Sequence, residues 1–570
     1  MLRQVATAYT LKKSNVFQIQ AYENAAAAIE HSTSEVRDLW EEKRLDQLPA
    51  IGDILKARLE ELFTTGKVKH WEEVKKGIPE EVFEFIDIPG VGPKIALELS
   101  KLGASDKNDL KKKLESGLLV GRGFSQKIAA KILASLVRSK TESSRMLLPY
   151  AFAQTERVLE YLQKNPDVKR ADALGSLRRM VATVGDLDFA VSSSRPSEIV
   201  EYLVNMPGIS RVEDKGERKV TLINNLGLRL DFMIAEPEAY GALLQHFTGS
   251  KAHNIHLRII AERKGLSLSE YGIKNVKTGQ VHRPVSEEEF YRLLDMEMPP
   301  PEIREDTGEI EAALEHSLPE LVQAGDIKGD LHVHDNFPIE PSHDLGQSSV
   351  GDIIREARKL GYQYVGISDH SPSSGNHTAG QITELIRKHI RYIDKYKYSH
   401  KSIRVLKLIE VDIQPDGELS MPDEALKLLD FAIASIHSLH SQPKGEITKR
   451  ILKALENPRV KVLGHPTGRL INKRDSYDAD WEAIFKAAAS RRIALEINSF
   501  PDRLDLPDNL VRLAKSFGVK FVIDTDSHEA SQMSNIRFGV AVARRGWATS
   551  EDILNCWEWD KFAAWFGVLR

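Results

Sequence analysis

The sequence predicts a multidomain chain: a helical N-terminal region, a small α+β portion and a C-terminal α/β barrel of seven parallel strands. Three observations carry this reading. At 570 residues the chain exceeds the roughly 250–300 at which a single core stops growing, so three or more domains are expected. The first 140 residues place apolar positions three and four apart, as in ILKARLEELF and KIALELSKLG, and separate them by glycine turns, which is helical patterning. Beyond Ile327 the runs KGDLHVH, YQYVGISDH, VLKLIEVDI, DFAIASIH, VKVLGHP, IALEINS and KFVIDTDSH recur with helical stretches between most of them. Most carry a histidine or carboxylate at or near the C-terminal end, where side chains of parallel strands converge on one face of a barrel.

Composition narrows the class. With 41% hydrophobic and 28% charged residues the chain has the balance of a globular protein and not that of a disordered or fibrous one. Its one cysteine, Cys556, excludes an internal disulfide, and no apolar run reaches the roughly 18 residues of a membrane span. The N-terminus, MLRQVATAYTLKK, has no secretory pattern, so a cytoplasmic location is expected. A formal net charge of −4 gives no global sign of nucleic-acid binding, and any DNA contact must be local.

Three N-terminal segments, Leu48–Leu59, Ile88–Leu99 and Val120–Leu133, share a glycine turn entering a helix. Backbone N–H groups at such a turn can face an anion, and DNA phosphate is the obvious candidate. A single copy fits a plain helix–helix link equally well; recurrence favours phosphate.

From Leu147 to Met233 helices alternate with strands. In Gly185-Asp186-Leu187-Asp188 the carboxylates are two apart and share a strand face. Asp231, in the alternating segment LRLDF, would add a third from a neighbouring strand. Three such groups can hold two divalent ions for phosphoryl transfer, although Asp-x-Asp alone also fits a solvated strand end. Upstream, Gly175-Ser176-Leu177-Arg178-Arg179 supplies a small-residue turn with guanidiniums suited to phosphate oxygens. After Met298, three consecutive prolines signal a stiff linker.

Gly-Ser followed by Gly-Asp-x-Asp and a later Asp resembles the nucleotidyltransferases of the polymerase β superfamily. Phe247-Thr248-Gly249-Ser250-Lys251-Ala252-His253-Asn254 and the early Phe17-Gln18-Ile19-Gln20-Ala21-Tyr22 make the resemblance specific to family X DNA polymerases. It implies a palm and thumb, with Asp186, Asp188 and Asp231 as catalytic ligands of magnesium or manganese. Gly175, Ser176, Arg179, Phe247, Thr248, Gly249, Lys251 and Asn254 would bind the nucleotide. The N-terminal glycine turns become helix-hairpin-helix motifs that grip DNA through Gly90 and Gly92, and more weakly around Gly52. The chain departs from the family at Val181 and Ala182, where a basic residue and a glutamate are usual, and at His246, where an aromatic is common. Arg58 stands where animal polymerase β has a Schiff-base lysine; arginine stays protonated, so no lyase of that type is expected.

The strand-end residues His332, His334, His370, Glu410, His437, His465, Asp526 and His528 mix imidazole and carboxylate, which suits zinc, manganese or iron. Nearly all of 327–570 resembles the PHP (polymerase and histidinol phosphatase) domain. That resemblance makes these residues ligands of a trinuclear cluster of zinc or manganese, with 3′→5′ exonuclease or phosphoesterase activity. The family's further aspartate falls here on Leu345. Asp344 is the first substitute, His343 the second and Glu340 the third; otherwise the third metal is lost.

The resulting division is 1–75 and 76–146 helical, 147–235 palm, 236–298 thumb, 299–326 linker and 327–570 PHP. The expected function is gap filling in DNA repair by a monomer acting on gapped or nicked DNA with deoxynucleoside triphosphates. The alternatives are a phosphatase with an inactive polymerase half, and a non-catalytic gap-binding scaffold.

Overall fold

In the computed structural model, residues 1–30, 40, 43, 45, 51–86, 88, 91–116, 118, 129, 132–133, 145–341, 343–399 and 403–568 are described. They fall into two compact units, 1–145 with 470–475, and 146–469 with 476–570. No helix among the described residues is long and apolar enough to cross a membrane.

The N-terminal unit follows its apolar spacing. Helices Leu2–Leu11, Val16–Glu30, Asp53–Thr65 and Lys69–Lys75 bury Val5, Tyr22, Leu59 and Trp71 in one core. Helices Glu80–Phe85, Pro93–Lys101 and Lys107–Glu115 bury Phe85, Leu99 and Leu110 in a second. Gly52 and Gly92 each cap a helix in extended conformation. Neither needs glycine for its φ, and among the described residues no atom lies within 4 Å of where a Cβ would stand. Gly90 lies outside the described residues, as does most of Val120–Leu133. Arg58 donates to the hydroxyl of Tyr22 and lies 5.7 Å from its ring centroid.

The second unit begins with a small ladder of β1 (Met146–Leu147) and β3 (Thr183–Val184). The palm sheet has the order β2-β4-β7-β6-β5, formed by Arg170–Ala173, Leu187–Ser192, Arg229–Ala235, Lys219–Asn224 and Ile209–Lys215. β4 and β7 are parallel neighbours. Alternation sends Phe189 and Phe232 into the core, stacked 4.9 Å apart, and leaves the acidic positions to the other face. The thumb combines helices Tyr240–Thr248, Lys251–Arg263 and Glu287–Arg292 with a meander of β8 (Leu266–Ser269), β9 (Gly272–Asn275) and β10 (Val281–His282).

The segment expected as a linker is built into this thumb. Ile310 and Ala313 of helix Glu309–Leu314 join Leu257, Phe290 and Tyr291 in its core. Arg304 is fully buried, and its guanidinium bonds Glu287 and the carbonyl of Pro299. The prolines stiffen the entry, but the apolar side chains after them need a core, and the thumb supplies it.

The seven runs of the C-terminal region form eight strands: β11 (Gly329–Val333), β12 (Tyr364–Ile367), β13 (Arg404–Lys407), β14 (Glu410–Asp412), β15 (Ala432–Ser435), β16 (Val460–Leu463), β17 (Ala494–Asn498) and β18 (Phe521–Asp524). Their pairing is parallel throughout, in one sheet of β11 to β13 and another of β14 to β18. This departs from a single ladder of seven. The run VLKLIEVDI is interrupted between Lys407 and Glu410, although Leu408 N–H still bonds Ile367 on one side and the Ile409 carbonyl accepts from Ile433 on the other, as in a strand lying between two neighbours. Single parallel bridges, Val333 to Ser527 and His370 to Glu410, are the β-pairings between the two sheets among the described residues.

Candidate active sites

The palm register sets the first site. Asp188 on β4 pairs directly with Asp231 on β7, and Asp186 stands two residues earlier on the same side. Like charges crowd here. Burial, then the charges of Asp186 and Asp231, push the Asp188 carboxyl up to about 7. At Asp231 burial opposes ionisation, but hydrogen bonds from Arg229 and Thr221 outweigh it and keep the carboxyl below its ordinary range. A cluster of this kind is relieved by a divalent cation, and its all-oxygen donor set suits magnesium or manganese.

Gly175 is required beneath it: φ is +59°, and a Cβ would stand 2.6 Å from Asp188 Oδ2. Ser176 follows on the short helix Gly175–Arg178. The Arg179 guanidinium is held at Nε by Glu305 (3.0 Å) and at Nη1 by the Thr248 carbonyl (2.5 Å). Gly249, with φ +70°, leaves room for it, since a Cβ there would lie 3.1 Å from Nη1. Arg178 turns to Thr248 and Glu287. Lys251 is exposed, and Phe247 lies edge-on to His246 at 4.8 Å. Asn254, expected at the nucleotide, lies on the helix that follows Gly249. Its amide accepts from Gln245 (2.8 Å) and donates to the His246 carbonyl (2.7 Å), so it ties one thumb helix to the next.

The eight strand-end residues of the second site converge. Ligand atoms of His334, His370 and His528 lie within 4.8 Å of one another, as do those of His332, His334 and Asp526 and of His370, Glu410 and His437. His465 Nε2 meets Glu410 Oε1 at 2.8 Å. His332 Nε2, His437 Nε2, His528 Nε2 and Glu410 Oε2 are buried without a hydrogen-bond partner, an arrangement that is costly unless a cation takes those lone pairs. His465 (φ +24°) and Asp526 (φ +53°) occupy the left-handed region, local strain of the kind that gathers at functional sites. Burial resists charge on His370, yet Glu410 and Asp344 raise it to about 10; burial, then Arg503, lowers His465 to about 4.

Asp344 reaches into this cluster, Oδ1 3.2 Å from His370 Nε2 and Oδ2 3.2 Å from His528 Nε2. His343 sits at the rim, 3.2 Å from Asp412. Glu340 turns away to His377 at 2.7 Å. Two orienting carboxylates went unread in the sequence. Glu496 Oε1 holds His332 Nδ1 at 2.6 Å, and Asp412 holds His437 Nδ1 at 2.5 Å. Their signal was present: Glu410 and Asp412 alternate on one strand, and Glu496 lies within the LEIN run of β17.

Comparison with known proteins follows the same division. Residues 1–68 match the helix-hairpin-helix domain model, 243–305 the DNA polymerase beta thumb and 330–500 the PHP domain. The thumb match extends through Glu305, into the segment that the three prolines mark as a linker. The DNA polymerase/3'-5' exonuclease PolX of Bacillus subtilis is 35% identical over 559 residues, 97% of this chain and 96% of that one. Proteins named "Probable phosphatase" from Thermoanaerobacter sp. strain X514 (28% over 239 residues, 40% of this chain and 89% of theirs) and Clostridium acetobutylicum (30% over 219, 36% and 81%) match in part. With two differently built acidic centres and a full-length relative at this identity, the chain belongs to the family X DNA polymerases that carry a C-terminal PHP domain.

Proposed function

We propose that the chain fills short gaps in DNA during repair and trims 3′ ends with its PHP domain. The observation that carries this is the pairing of Asp188 with Asp231 over Gly175, in a chain that matches a polymerase with exonuclease activity along nearly its whole length.

Asp186, Asp188 and Asp231 would hold two divalent ions, magnesium or manganese. His332, His334, Asp344, His370, Glu410, His437, His465, Asp526 and His528 would hold a zinc or manganese cluster, the two parallel sheets being read as arcs of one barrel around it. Ions bound at both centres would supply Lewis-acid stabilisation for phosphoryl transfer. The chain does the rest. Arg229 and Thr221 keep Asp231 ionised. Ser176 and Arg179 receive the triphosphate, and the turns at Gly52 and Gly92 admit the DNA backbone, with Gly90 proposed to act beside them. Glu496 and Asp412 fix the rings of His332 and His437, as carboxylates behind ligand histidines do. The phosphatase relatives support phosphomonoester hydrolysis by the same PHP site.

The test is extension of a labelled primer across a one-nucleotide gap, with magnesium and manganese compared. Extension by one nucleotide supports the reading. Release of phosphate from a small ester without extension would favour the phosphatase, and DNA binding with neither activity would favour the scaffold.

A further inference from the structure

Helix Ile536–Arg545 of the PHP domain ends against the polymerase half, and its seat is tight. A Cβ on Gly539 would stand 2.1 Å from Ser499 Oγ and 2.6 Å from Ile523, so the helix lies hard on β17 and β18. Its last residue, Arg545, is anchored at Nε by Asp508 of its own domain (2.7 Å). Nη1 then crosses to the polymerase half, donating to Glu305 Oε1 (3.0 Å), the Arg179 carbonyl (2.9 Å) and the Glu302 carbonyl (3.3 Å). Neighbouring arginines grip the same stretch: Arg544 takes Glu302, and Arg512 takes the Thr307 carbonyl and hydroxyl.

One oxygen is decisive. Glu305 Oε1 accepts from Arg545 and from Arg179 Nε, each at 3.0 Å. A carboxylate facing one guanidinium alone prefers two parallel hydrogen bonds to it. Two guanidiniums on one oxygen prevent that and leave positive charge on Arg179 for an anionic ligand.

We infer that Arg545 is a positioning residue for nucleotide addition: by sharing Glu305, it keeps that carboxylate from capturing Arg179, so that Arg179 can receive a nucleoside triphosphate. The inference rests on the reading of Arg179 as a triphosphate ligand. It makes a PHP side chain part of the apparatus that tunes nucleotide affinity, through contacts that the linker reading of 299–326 did not foresee.

The experiment is steady-state extension of one-nucleotide-gapped DNA by the full chain, with KM for the incoming nucleotide and kcat measured separately and 3′ resection assayed in parallel. Arg545→Ala should raise KM about tenfold, the effect of roughly one charge-assisted hydrogen bond, with kcat and resection nearly unchanged. Glu305→Gln alone should leave KM unchanged or lower it. The double variant Arg545→Ala/Glu305→Gln should return KM to near the starting value, a rescue that simple loss of domain packing would not give. An unchanged KM in Arg545→Ala, a double variant no better than Arg545→Ala, or a raised KM in Glu305→Gln overturns the inference. The last holds even if Arg545→Ala does not fold. Arg179→Ala separates the parent reading: if it leaves KM unchanged, the triphosphate role and the inference fall together. If it raises KM while Arg545→Ala does not, only the inference falls.

Discussion

The palm and the PHP domain both gather acidic groups, but they gather them in opposite ways. In the palm, Asp186, Asp188 and Asp231 are like charges, and burial, then the charges of Asp186 and Asp231, push the Asp188 carboxyl to about 7. In the PHP domain, Glu410 is ringed by His332, His370, His437 and His465, and Asp344 by His370 and His528, so carboxylates and imidazoles interlock. Both centres call for cations, the palm to relieve like charges and the PHP site to take buried imidazole and carboxylate lone pairs, but only the PHP site also holds its ligands against one another. The thumb provides a control, a buried carboxylate met by two guanidiniums: Glu287 between Arg178 and Arg304.

The largest effect is expected at that control. Burial opposes the charge of Glu287, but Arg304 and Arg178 hold its carboxyl down at about 2. Its contribution to stability is therefore complete above about pH 4.5, the ordinary carboxyl value, and is lost as pH falls toward 2. Glu287→Gln should cost on the order of 3–5 kcal/mol near neutrality, because two arginines lose their counter-charge. In denaturant titrations the gap from the unaltered protein should narrow below pH 4.5. A gap that widened on acidification would break the comparison.

Asp344 tests the interlocked cluster itself. Asp344→Ala should lower bound metal and exonuclease rate by roughly 10–100-fold, the range seen when a group supporting a metal site is lost. His343→Ala should do much less. Equal content and rate in both variants would remove this turn from the cluster. A smaller effect of opposite sign is expected in the palm. In chelator-stripped protein at pH 8, Asp188→Asn should raise stability by on the order of 1–3 kcal/mol by relieving repulsion. A fall in Tm would mean that the palm charges are already compensated.

Much of this was legible in the sequence because it lies in short-range patterns. Asp-x-Asp on a strand, Gly175 under it and His-x-His at a strand end each fix chemistry within a few residues. What was not legible depends on distant partners. Glu305 holds Arg179 from 126 residues away, and nothing near GSLRR announces it. Nothing near Asn254 announces that its amide bonds Gln245 and the His246 carbonyl. The triple proline reads as a linker, although Ile303, Ile310 and Ala313 behind it are buried. One apolar run, VLKLIEVDI, reads as one strand and is two, Arg404–Lys407 pairing with β12 and Glu410–Asp412 with β15. Asp344 could be proposed only as a substitute for Leu345, and its place between His370 and His528 depends on how the intervening turn folds back.

One chain that holds two phosphoryl-transfer centres should lose them one at a time. The most direct measurement is extension and 3′ resection of one labelled, one-nucleotide-gapped duplex by Asp231→Ala and His465→Ala, side by side with the unaltered protein. Asp231→Ala should lose synthesis by roughly a thousandfold or more, the several kcal/mol that a metal centre supplies, and keep resection. His465→Ala should do the reverse. Loss of both activities in either variant, with the fold intact by circular dichroism, would contradict the two-centre account.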